Sequence, residues 1–326
     1  MKKIILPLFF VLSVSGCSGS GMTESPLSSD SMPHSETHSL QSETEPYTLY
    51  IKTVRQYLSY APTKIEVFQN GVPSTIDLYY EIEDEEICTI ENGYVMGLKI
   101  GETRVYASSI DGTETSFAVS IEDPDDYPFN RDVQSKEEAY LLRGNYVRPT
   151  LFVGDSFFDQ SNFWTTFYDD FEPEKKCVSV GISSTKTTDW IICRDRLLFN
   201  YQPKNLILHI GTNDINDTSL NLSVDDYYRQ ITAFLDLLVS HLTDTEIYFF
   251  GIENRVGSAG GKNAYAERVT EKIRCEYAPL YGNFTYIDSP SVFNADQDKY
   301  ISSDQIHPSK DGYAYYVEIL NQLVDF

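Results

Sequence analysis

The apolar run Leu151-Phe152-Val153 stops on Gly154-Asp155-Ser156, which reads as a buried strand ending in a turn. A serine in that place is either a turn former or a nucleophile held at a strand end. A serine hydroxyl is a weak nucleophile and needs a base within hydrogen-bond reach. Of the five histidines, His307 is the one placed to serve, in Ser303-Asp304-Gln305-Ile306-His307-Pro308 just before a final helical pattern. Asp304 precedes it by three residues. In a tight turn that spacing lets the carboxylate hold one imidazole nitrogen while the other faces a pocket. The carboxylate then fixes the tautomer and stabilises the imidazolium formed when Ser156 gives up its proton. The other histidines fit elsewhere: His34 and His38 in a polar tether, His209 inside the apolar run 206–210 as a satisfied structural residue, and His241 at the end of a long helical pattern, where a cation suits the dipole.

Acyl transfer also needs donors for the oxyanion. The apolar run 206–210 ends on Gly211-Thr212-Asn213-Asp214, and an asparagine amide on a glycine turn is a good donor. The run 177–180 ends on Gly181-Ile182-Ser183-Ser184, where a glycine lets a backbone N–H approach a ligand without a side chain in the way. The N–H of Ser156 makes a third donor. Losing one such donor typically costs ~10²–10³ in rate. Each piece alone has a plainer reading as turn or capping chemistry. Their joint placement is what points to a site: Ser156, Gly181 and Asn213 each end a different apolar run, and the Asp304/His307 pair comes last.

The elements that must position them alternate from residue 149 onward. Strands are expected at residues 151–153, 177–180, 206–210, 247–251 and 284–287, with amphipathic segments between them. The clearest helix spans 223–242, with Ser223 as N-cap, Asp225 and Asp226 in the first turn, and Tyr228, Ile231, Leu235, Leu238 and Leu242 at helical spacing. A last helix begins at Pro308-Ser309 and carries Tyr313, Val317, Leu320 and Val324 on one face. A short helix over 135–142 precedes the first strand. Strand and helix alternation means a parallel sheet covered on both faces, and ligands bind outside the carboxyl ends of such strands.

Taken together, GDSFFD, the glycine of VGISSTKTTDW, GTNDI and SDQIHPSKDGY resemble the four blocks of the SGNH (GDSL) hydrolase superfamily, in family order, over about residues 149–326. The resemblance implies a flavodoxin-like three-layer α/β/α fold and ester cleavage with no metal and no cofactor. It implies Ser156 as nucleophile, Gly181 and Asn213 with Ser156 as the oxyanion hole, His307 as general base and Asp304 as its orienting acid. Phe157 and Phe158 depart from the smaller residues usual after the serine. They either wall a narrow acyl pocket or pack under the first helix, and packing is the reading adopted.

Ahead of this lies a different texture. Lys2-Lys3, the apolar residues 4–14 and Val14-Ser15-Gly16-Cys17 resemble a bacterial lipoprotein signal, residues 1–16, with lipid attached to Cys17. Residues 17–46 are rich in Ser, Thr, Glu, Gly and Pro and read as a disordered tether. Residues 47–122 show short strand-like runs with turns at Asn70-Gly71, Asn92-Gly93 and Asp111-Gly112. They resemble a bacterial Ig-like β-sandwich of the second type, whose role would be spacing or adhesion. Residues 123–148 read as a linker. Besides Cys17, Cys88, Cys177, Cys193 and Cys275 are expected to be small buried side chains without a disulfide framework.

Chain-wide features narrow the function. The net charge of −24 repels nucleic acid and anionic head groups, so polynucleotide substrates are set aside. An exported protein anchored at a membrane through lipidated Cys17 points to short-chain, above all acetyl, esters on carbohydrate at the bacterial surface. Phe157, Phe158, Trp190 and Tyr313 are candidates to stack on sugars, with core packing as the plainer assignment. The rivals are a lysophospholipase or thioesterase, an O-acetyltransferase of the same superfamily, and a non-catalytic surface adhesin. The oligomeric state stays open.

Overall fold

The structure is a computed structural model that describes residues 47–144, 146–217, 219 and 222–326. The signal, Cys17, the tether, His34 and His38 lie outside the described residues.

Five strands form the sheet that carries the site: β1 (Thr150–Gly154), β2 (Cys177–Ser179), β3 (Asn205–His209), β4 (Glu246–Phe250) and β5 (Phe284–Ile287). All pairings are parallel and the order is β2-β1-β3-β4-β5. This is the flavodoxin-like doubly wound order, with its reversal beside β1. Each strand end lies within one residue of the expected one.

The strands are apolar throughout because both faces are covered. Leu151 and Val153 of β1 join a core with Trp190, Ile231, Leu235 and Val269, whereas Phe152 between them joins a second core with Trp164, Phe167, Tyr316 and Leu320. The first face carries α1 (Asn130–Leu142), α2 (Thr187–Leu197), α3 (Val224–His241) and α4 (Asn263–Lys272), and the second carries α5 (Lys310–Leu323). Helix α3 starts as its sequence dictates. Ser223 Oγ accepts the Asp226 N–H at 3.2 Å while Asp226 takes the Ser223 N–H at 3.0 Å. Helix α1 begins five residues before the expected start at Ser135, because burial of Val133 outweighs the weak propensity of its polar first turn.

Residues 47–122 form three small sheets around Val95, Val105, Val119 and Ile121. The Asn-Gly turns have positive φ at both positions, 50° and 78° at Asn70-Gly71 and 51° and 77° at Asn92-Gly93, as type I′ hairpins require. This sandwich packs against the α/β part: residues 47–326 make one compact unit. The Ala61 N–H donates to the Ile192 carbonyl at 3.3 Å and Arg194 to the Pro62 carbonyl at 3.2 Å. Tyr60 is buried against Tyr127, with ring centroids 4.9 Å apart, and its hydroxyl donates to Asn130 Oδ1 at 2.6 Å.

The four described cysteines are unpaired, and Cys88, Cys177 and Cys193 are buried. Cys275 corrects the expectation, for it is exposed. Ile273 and Tyr277 take the inward positions of the turn after α4 and leave Cys275 between them facing out.

Candidate active site

Ser156 follows β1 at its carboxyl end. Asp155 accepts the Phe157 N–H at 3.1 Å and thereby caps the single 3-10 turn Ser156–Phe158. Gly154 lets this turn sit against β3: a Cβ there would lie 1.9 Å from the His209 carbonyl oxygen. Ser156 Oγ lies 2.7 Å from His307 Nε2, and His307 Nδ1 lies 2.7 Å from Asp304 Oδ2. A carboxylate only accepts, so Nδ1 carries the proton and Nε2 is free to receive that of Ser156. Asp304 Oδ1 accepts from the Ile306 N–H at 2.9 Å, the His307 N–H at 3.0 Å and Ser302 Oγ at 2.7 Å. Partial burial pushes the Asp304 carboxyl up, but those hydrogen bonds prevail and hold it well below the usual range. His307 is mostly buried, and burial pushes its pKa below the ordinary value, with Asp304 offsetting only part.

Sequence reasoning missed the ring that covers His307. Phe163 stacks on the His307 imidazole with centroids 3.7 Å apart and planes at 25°. It is placed by Asp159, whose carbonyl accepts the N–H groups of Phe163 and Trp164 at 2.9 and 3.1 Å. The Asp159 carboxylate in turn accepts from Asn162 Nδ2 at 2.8 Å and Ser183 Oγ at 2.6 Å, with Lys136 Nζ of α1 at 3.6 Å. Phe163, beside Trp164 in the stretch Ser161-Asn162-Phe163-Trp164-Thr165, carries no local signal for this role.

Gly181 and Asn213 stand where the strand ends put them. A Cβ on Gly181 would come within 2.3 Å of the Phe158 carbonyl carbon, so the β2 loop can lie against the serine turn only with a glycine there. Neither the Ser156 nor the Gly181 N–H has a hydrogen-bond acceptor among the described residues. Asn213 lies in the short helix Thr212–Asn216 after Gly211, which has φ 108°. Its Nδ2 donates to the Thr185 carbonyl at 3.0 Å, which leaves its second amide hydrogen for a ligand. Asp214, fully buried beside it, ties this turn to α2 through Thr187 Oγ1 at 2.5 Å, and burial pushes its carboxyl up to about 6.

A second histidine lies behind the serine. His209 is fully buried and stacks on Phe157 at 4.0 Å, 13° from parallel. Its Nε2 is 2.7 Å from Glu253 Oε2, but its Nδ1 makes no hydrogen bond and stands 3.7 Å from Asp155 Oδ1. The histidine expected to be satisfied is therefore so on one side only. Burial alone would depress its pKa, but Glu253 and Asp155 outweigh burial and hold it up at about 9. Glu253 also accepts from Ser289 Oγ at 2.5 Å and Tyr316 Oη at 2.7 Å. Phe157, Phe158, Trp190 and Tyr313 are all buried, so they pack the core rather than offer faces to a sugar.

Two cavities bear on the site's surroundings. One of about 390 Å³ is lined by Phe163, Thr166, Asp170, Ser302, Lys310 and Tyr313 among others, and by none of the triad residues. Another of about 600 Å³ lies between α1 and the end of α2 and shares no residue with the triad.

Residues 152–315 match the model of the GDSL-like Lipase/Acylhydrolase family. Among curated proteins none matches the chain. Solved structures of similar fold include an acetylxylan esterase from Geobacillus stearothermophilus, 16% identical, covering 56% of this chain and 97% of that one with a TM-score of 0.42. A GDSL-like lipase from Bacteroides thetaiotaomicron is 14% identical, covering 57% and 95%, also with a TM-score of 0.42. Likenesses this distant add nothing on substrate.

Proposed function

The chain belongs to the GDSL-like lipase/acylhydrolase family, and on that premise we propose that it is a serine esterase that removes short acyl groups, acetyl first, from carbohydrate. The unbroken chain from Ser156 Oγ through His307 to Asp304, 2.7 Å at both steps, carries the reading. Ser156 Oγ attacks the ester carbonyl as His307 Nε2 takes its proton, and Asp304 stabilises the imidazolium. The negative charge on the carbonyl oxygen is received by the N–H groups of Ser156 and Gly181 and by Asn213 Nδ2. His307 then hands the proton to the leaving alkoxide, which departs as the alcohol. Water attacks the acyl-serine by the same steps in reverse and frees the acid.

The cavity beside Phe163 supports a sugar as the alcohol. Thr165, Thr166, Asp170, Ser302, Ser309 and Lys310 give it hydrogen-bonding groups for a polyol, set in a lining that is otherwise apolar. The test is hydrolysis of 4-nitrophenyl acetate, butyrate and octanoate by the protein lacking residues 1–46. Acetate is expected to be the best of the three, and Ser156→Ala to lower its turnover by about 10³-fold or more. Preference for octanoate would move the substrate to lipids. No turnover by folded protein would leave the adhesin reading in front.

The proposed location is the outer face of a bacterial membrane, through lipid on Cys17. It rests on the sequence of residues 1–17 alone. Mass spectrometry of the mature protein from its native membrane is expected to find an acylated N-terminal Cys17, and an unmodified or soluble form would refute the anchor.

A further inference from the structure

Arg255 lies in the loop after β4, at the carboxyl end of the sheet that also carries Ser156. One side chain fixes its backbone: the Arg255 N–H donates to Asn263 Oδ1 at 3.0 Å, and its carbonyl accepts from Asn263 Nδ2 at 2.8 Å. The next residue is tied to the loop of the general base, since the Val256 N–H donates to the Gln305 carbonyl at 2.8 Å. The side chain is partly withdrawn from solvent, and its Nε is buried with no hydrogen-bond partner.

That makes Arg255 an exception. Among the described residues, it is the one lysine or arginine withdrawn from solvent that has neither a carboxylate within 4.0 Å nor an aromatic ring beneath it. Lys136 has Asp159, Lys186 has Asp217, and Arg143 lies over Tyr168. The chain holds 49 acidic residues against 25 basic ones, so a counter-ion was not scarce. Leaving a partly desolvated guanidinium unpaired costs free energy that the fold does not recover by itself. The charge is also felt at the site: Asp155 acts on Arg255, and Arg255 acts on His307.

We propose that Arg255 is the anion-binding group of a substrate subsite, and that the preferred ester carries a carboxylate close to the acylated hydroxyl, as an acetylated uronate does. This inference rests on the esterase reading and names its substrate class. The planar guanidinium matches a carboxylate through two parallel hydrogen bonds and gives up little hydration to do so. A bound carboxylate also cancels the repulsion between Arg255 and the imidazolium that forms as Ser156 attacks. The gain therefore falls on kcat as well as on KM.

The experiment compares kcat/KM for a mono-acetylated methyl β-D-glucuronoside with the equally acetylated methyl β-D-glucoside, in the native protein and in Arg255→Gln and Arg255→Lys. The ratio of the two substrates is the readout, because it does not depend on how much protein is folded. The native ratio is expected to favour the uronate by about tenfold or more. It is expected to fall toward one in Arg255→Gln, to be intermediate in Arg255→Lys, and to shrink with added salt. A native ratio near one, or a ratio that Arg255→Gln does not change, overturns the subsite. The equally acetylated methyl glucoside 6-sulfate is the control for anion type, and a preference for it above the uronate overturns the carboxylate assignment. Failure of the native protein on every ester sinks the esterase reading instead. Calorimetric titration with the deacylated methyl β-D-glucuronoside and methyl β-D-glucoside then decides the subsite. Tighter binding of the glucuronoside that is lost in Arg255→Gln supports it, and equal binding of the two overturns it.

Discussion

At the residue scale, the proposed reaction requires a neutral His307 at its start. Protonation of Nε2 removes the acceptor for the Ser156 proton, so activity is lost as pH falls through the pKa of His307. Burial depresses that pKa more than Asp304 raises it, so the acid limb of kcat/KM is expected below the ordinary histidine value of about 6.5. Phe163 supplies much of the cover on one face of the ring. Its removal readmits water and favours the imidazolium, so Phe163→Ala is expected to move the acid limb to higher pH. A pH–rate series on 4-nitrophenyl acetate reads both, and an unmoved limb in the variant would show that burial of His307 comes from elsewhere.

The element scale turns on the ends of three strands. β1 supplies Ser156 and Asp155, β3 supplies His209, and the loop after β4 supplies Glu253. The imidazolium of His209 between two carboxylates joins these ends in the core behind the serine. Its folded pKa of about 9 lies above the unfolded value of about 6.5. A raised folded pKa contributes stability that is fully present below the unfolded value and is lost as pH rises through the folded one. The midpoint of thermal unfolding is therefore expected to fall between about pH 6.5 and pH 9. His209→Gln, which has no proton to lose, is expected to start lower and to stay flat over that window. Equal pH slopes for the two proteins would mean that His209 is neutral in the fold.

For the whole molecule, the question is whether the β-sandwich stands apart. Tyr60 is buried in the same core as Tyr127, Trp190 and Leu197, which belong to the segment before β1 and to α2. Removing residues 47–122 would bare Tyr127 and leave the Ile192 carbonyl without its partner from Ala61. The protein lacking residues 1–46 is thus expected to unfold in one calorimetric transition. Tyr60→Ala is expected to lower its stability by about 3 kcal/mol, the usual size of a large-to-small change in a core. Two well-separated transitions, only one of them moved by Tyr60→Ala, would restore the independent spacer.

Local signals carried much of this protein in its sequence. The apolar runs gave away the five parallel strands to within a residue at each end, because a strand buried on both faces needs no alternation. Ser223 and Ser309 marked two helix starts, because capping is a contact between near neighbours. Strand ends and one short loop also pointed to Ser156, Asp304 and His307, which the fold joins in one hydrogen-bonded chain. The tertiary structure alone decided the rest: the stacking of Phe163 on His307, the acids on either side of His209, the unpaired Arg255 and the docking of the sandwich through Tyr60. Each of these depends on contacts between segments tens of residues apart or more. No periodicity or turn signal records such contacts, because their free energy exists only once the chain has closed around them.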